Sequence, residues 1–112
     1  MKFLITENKL EQIVFKYLNN QDFIKIEREN KIYFLNHEGD EYAQIRYDKE
    51  GGHCFIYYGL IEEISSFFSL ELFDSELLIA DWVENTLQKK VLLFSSRIFT
   101  LSKLKIPKNE RI

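Results

Sequence analysis

The sequence predicts an α+β fold: an N-terminal helix, a four- to five-stranded antiparallel meander sheet, and two further helices packed on one sheet face. Three observations lead there. Apolar residues recur at helical spacing over 6–19, they alternate with polar ones over 23–58, and helical spacing returns over 60–88. The chain of 112 residues is 46% hydrophobic, with ten Phe, six Tyr, four Gly and one Pro. That length suits one domain, and nothing in it reads as a flexible linker. A single domain is expected over 1–106, with a disordered tail over 107–112 after Pro107.

The first helix is justified by Leu10, Ile13, Val14, Tyr17 and Leu18, which form one stripe. Thr6 suits the N-cap, Ile5 and Leu10 the hydrophobic staple, and Glu7 the positive end of the helix dipole. Asn19-Asn20 ends it. Phe23–Glu27 and Lys31–Leu35 flank Arg28-Glu29-Asn30, which reads as a three-residue loop with Asn30 in the left-handed region. His37–Asp40 and Asp48–Gly52 make two more turns, separating strands Glu41–Tyr47 and His53–Tyr58. In that register Ile24, Ile26, Ile32, Phe34, Ala43, Ile45, Tyr47, Cys54, Ile56 and Tyr58 share the core face. The opposite face holds Lys25, Glu27, Lys31, Tyr33, Leu35, Tyr42, Gln44, Arg46, His53, Phe55 and Tyr57, an aromatic set for a solvated surface.

A second helix over 60–70 places Leu60, Ile61, Ile64, Phe67 and Phe68 on one stripe. A third over 75–88 does so with Leu78, Ile79, Trp82, Val83 and Leu87, and Asp74 or Ser75 is the expected N-cap. A fifth strand falls at Val91–Phe94 or Ile98–Leu101.

Charge is unevenly spread. Residues 1–88 hold 8 Lys+Arg and 17 Asp+Glu, a net of −9, while residues 89–112 hold 7 Lys+Arg and one Glu, a net of +6. The basic quarter, with Lys89, Lys90, Arg97, Lys103 and Lys105, either folds onto its own acidic body or reaches for nucleic acid or an acidic partner. The aromatic sheet face raises the same choice. Either Leu92, Phe94, Ile98, Phe99 and Leu101 cover it from within, or Tyr33, Tyr42, Arg46, Phe55 and Tyr57 form an interaction surface.

The chemistry-bearing residues do not assemble into a motif. His37 and His53 belong to opposite ends of a meander, too far apart to share a metal with Asp40 and Cys54. Cys54 falls on the core face, where a thiol is an inert small hydrophobe. Glu62-Glu63 and the Glu38/Asp40/Glu41 group suit solvated surface. Ser65-Ser66 and Ser95-Ser96 lack a nucleophile elbow, and Gly51-Gly52 lacks phosphate-loop spacing. No catalytic residue, metal or cofactor is assigned. One cysteine implies no disulfide and a cytoplasmic setting. The short apolar start is no signal peptide, and no apolar run approaches the ~20 residues of a membrane span.

Two resemblances follow. The helix–sheet–helix layout resembles double-stranded-RNA-binding domains, but the helix after the sheet opens Leu60-Ile61-Glu62-Glu63, acidic where those domains meet phosphate. The opening Ile5-Thr6-Glu7-Asn8-Lys9-Leu10, with Ile13-Val14 and Tyr17-Leu18, resembles the starts of small tailed-phage proteins. That resemblance implies a viral accessory or host-interfering protein in the host cytoplasm, working by binding. The expected function is a non-enzymatic protein-interaction module using the aromatic sheet face, with a protein partner or a second copy as a homodimer. The alternatives are a nucleic-acid-associated protein using the basic segment, and a small enzyme with an unrecognised site.

Overall fold

The computed structural model describes residues 7–88 and 98–111, and it has the α+β architecture. Helix α1 (Glu7–Asn19) leads into strands β1 (Ile24–Glu27), β2 (Lys31–Leu35), β3 (Ile45–Asp48) and β4 (His53–Tyr57). Helices α2 (Tyr58–Phe68) and α3 (Leu72–Leu87) follow, then β5 (Ile98–Leu101) and a 3-10 turn at Lys108–Glu110. The sheet runs in the order β1-β2-β3-β4-β5. Its first four strands are an antiparallel meander, but β5 joins β4 in parallel. The α2–α3 crossover causes this, because it brings the chain back to run in the same direction as β4. Of the two candidate fifth strands, Ile98–Leu101 is the one observed. Val91–Phe94, Thr6 and Ile5 lie outside the described residues.

The helices cover one sheet face. Val14 and Leu18 of α1, Ile61 and Ile64 of α2, and Ile79 and Val83 of α3 pack on Ile32, Phe34, Ile45, Tyr47, Cys54 and Ile56. Phe23, Phe34 and Trp82 cluster with ring centroids 5.3–6.3 Å apart. The Trp82 indole N–H donates to Asn19 Oδ1 at 2.9 Å, so a buried polar group ties α3 to the end of α1.

Three local expectations are corrected. The first hairpin closes with Arg28 N–H donating to Lys31 O at 2.7 Å, leaving only Glu29-Asn30 as the loop. Asn30 is not left-handed. Ile26 therefore pairs with Tyr33 and Ile24 with Leu35, so β1 presents both isoleucines to the far face. Helix α3 starts at Leu72, with Glu71 as N-cap. Ser75 is buried inside the helix, its hydroxyl donating to Glu71 O at 3.0 Å. Tyr58, expected on the core face of a strand, opens α2 and is exposed.

The far face of the sheet is also covered. Leu104 and Ile106 lie buried over Ile26, Tyr33, Leu35 and Ala43 as a second core. Ala43, expected on the core face, lies here because β3 begins only at Ile45, so the chain before it does not keep the strand's alternation. The covering chain is held as a strap: Ala43 N–H donates to Leu104 O (2.7 Å) and Ile106 N–H to Glu41 O (2.8 Å). Beyond Pro107, where disorder was expected, the chain through Arg111 folds back. Arg28 donates to the carbonyls of Glu110 and Arg111, and Arg111 donates to Ile106 O.

Candidate binding surfaces

The aromatic sheet face divides into a covered part and an open part. Tyr33 is buried beneath the strap, its hydroxyl bonded to the Glu110 carboxylate. Burial first, then that carboxylate, pushes its phenol pKa up. Arg46 pairs with Asp48 at 3.0 Å and stacks its guanidinium 4.0 Å from the centroid of the Phe55 ring. These residues are committed within the molecule and do not form an open surface. Among the described residues Leu104 and Ile106 cover this face and Leu101 is exposed, while Leu92 and Phe94 and the side chains of Ile98 and Phe99 lie outside the described part of the chain.

Tyr42 and Tyr57 remain accessible at the other end of this face. With Ala43, Gln44, Ser102, Lys103 and Leu104 they line an open cleft of about 260 Å³. Lys103 Nζ lies 5.9 Å from the centroid of the Tyr42 ring, and Lys105 forms an isolated antiparallel bridge with Tyr42. Two of the five basic residues thus meet one of the aromatics, Tyr42, while Lys89, Lys90 and Arg97 lie outside the described residues. Tyr57 folds its ring back over Gly59, where an added Cβ would sit 2.4 Å from the ring.

A second surface lies across the sheet, at the α2–α3 corner. Phe67 is 65% exposed, Phe73 56% and Leu72 44%. Phe67 was expected on the buried stripe of α2. Instead α2 ends one residue later, with Ser69 in the left-handed region, and Phe67 lies outward against Tyr17 at 4.8 Å. Ile13, one turn before Tyr17, is also exposed. The Tyr17 hydroxyl bonds the Glu63 carboxylate, which together with burial pushes its pKa up to about 12. Between Lys49 and Lys89 the chain holds eight Asp and Glu and no Lys or Arg. That gap in positive charge was the signal in the sequence for this surface.

The groups tested for chemistry stay apart. His37 meets Asp40 within its own turn at 3.8 Å. Cys54 is fully buried, and burial pushes its thiol up to about 12. Among the described residues no three His, Cys, Asp or Glu side chains converge on a metal position, and no helix is long and apolar enough to cross a membrane. Comparison with protein-family models, with curated proteins and with solved structures finds no match for this chain.

Proposed function

We propose that this chain is a non-enzymatic protein-interaction module that receives a basic, apolar segment of a partner protein at the α2–α3 corner. The carrying observation is the exposure of Phe67, Leu72 and Phe73 within a stretch that has eight acidic residues and no basic one. Large exposed apolar side chains grouped in this way mark interaction sites. Acidic surroundings select a partner of opposite charge and speed its approach. They also oppose an isologous dimer through this corner, which would set like charges together. A lone buried thiol needs no oxidising compartment, which supports a cytoplasmic setting. The N-terminal resemblance to phage proteins supports a host or virion protein as the partner.

The test is affinity capture from the native cell with the wild-type chain, F67S/F73S and K103Q. The expected result is one stoichiometric partner that F67S/F73S loses and K103Q keeps, with capture weakening as salt rises. A partner retained by F67S/F73S would overturn the reading.

A further inference from the structure

The cleft on the far face is lined by five polar side chains: Tyr42, Gln44, Tyr57, Ser102 and Lys103. Among the described residues none of them makes a side-chain hydrogen bond or ion pair within the molecule, and Lys103 touches only the Tyr42 ring. Convergent, unused polar groups in a concavity are the usual make-up of a ligand site. The lining decides the ligand class. It holds no carboxylate, imidazole or thiol, so a metal cation finds no ligands of its usual kind. An acyl chain would leave Gln44, Ser102 and Lys103 covered without partners. A bare anion would use Lys103 and leave the rings idle.

We propose that this cleft binds one nucleotide, free or as a unit of a single strand. The base lies against the Tyr42 ring and the phosphate meets Lys103. Base–aromatic stacking suits any base, and the Gln44 amide offers both a donor and an acceptor to a base edge. The volume of about 260 Å³ holds one such unit and not a duplex. The strap supplies the continuation. Leu104 and Ile106 face the sheet, so Lys103 and Lys105 alternate outward and are exposed, with Lys108 beyond them. That row suits the neighbouring phosphates of a strand.

The experiment is an amide NMR titration of the full chain at low salt with UMP, AMP, a short oligothymidylate and inorganic phosphate. Saturable shifts at Gln44, Ser102 and Lys103 with the nucleotides are expected. An oligothymidylate that binds tighter than UMP identifies a strand as the source, and equal affinity identifies the free nucleotide. Y42A should weaken binding by about 5- to 150-fold, the range of one lost stack. K103Q should lower the slope of log affinity against log salt by about 0.7, one phosphate contact on a single strand. K103Q alters an exposed side chain, so it decides the matter if Y42A loses the fold. Absence of shifts, identical shifts from inorganic phosphate alone, or wild-type affinity in K103Q would each overturn the proposal. F67S lies across the sheet and should bind nucleotide normally, which keeps this test separate from the partner-binding one.

Discussion

Cys54 has no exposed surface, and burial pushes its thiol from an ordinary 9.0 up to about 12. The folded chain therefore keeps a proton that the unfolded chain releases at lower pH. Its contribution to stability is complete below pH 9 and is lost as pH rises from 9 to about 12. Urea midpoints should fall across that window. In C54A the fall should begin about a unit later, where the buried tyrosines, with an ordinary value of 10.0, take over. An unchanged onset in C54A would show that the thiol is not held in the core. Gly59 presents a different constraint at the same scale. The Tyr57 ring occupies the space its Cβ would take, so G59A must move the ring. Ala favours the helix by up to ~1 kcal/mol, and Tyr57 is only half-buried. The net stability change should stay within about 1 kcal/mol while the ring resonances of Tyr57 shift, which aromatic NMR reads directly.

At the scale of elements, strands β2 to β4 were legible because the turns at His37–Asp40 and Asp48–Gly52 pin their register, and one of their faces is apolar while the other mixes aromatic and charged residues. Ile32, Phe34, Ile45, Tyr47, Cys54 and Ile56 all lie where alternation puts them. Strand β1 was not legible, because both faces of the sheet are buried. Ile24 and Ile26 find apolar partners in either register, so the pattern cannot choose between a two- and a three-residue loop. The strap was hidden for a related reason: Leu104-Lys105-Ile106 is too short an alternation to stand out, and Pro107 reads as an end. Its role yields a ranking. Leu104 and Ile106 are almost fully buried, so L104A and I106A should each cost about 2–5 kcal/mol in urea unfolding. Y33F loses only the hydroxyl bond to Glu110, whose carboxylate regains water, and should cost about 0.5–1.5 kcal/mol. Y33F costing more than I106A would mean that polar contacts, not packing, hold the strap.

At the scale of the molecule, the sheet separates two surfaces of opposite charge. Helices α2 and α3 face one way with Glu62, Glu63, Glu71, Asp74, Glu76, Asp81 and Glu84, and no Lys or Arg lies between Lys49 and Lys89. The strap faces the other way with Lys103, Lys105 and Lys108 exposed. Among the described residues, the strap lysines thus lie across the sheet from the acidic α2–α3 pair. Two copies stacked head to tail would match charge, but that contact is heterologous and would grow without closing. The exposed lysines dominate that surface, and Tyr42 and Leu101, each more than half covered, give such stacking little to bury. Attraction of that kind fades once the Debye length shrinks to about 8 Å at physiological ionic strength. Sedimentation velocity should therefore show a monomer at physiological salt across a wide range of concentration, with weak self-association only at low salt. The low-salt species should vanish in K103Q/K105Q and persist in C54A. F67S/F73S should cost no more than about 2 kcal/mol in urea unfolding, because Phe73 is mostly exposed and Phe67 loses only its ring contacts with Tyr17 and Phe68. A salt-resistant dimer that F67S/F73S dissolves would instead make the α2–α3 corner a self-association site, and the partner it receives a second copy of this chain.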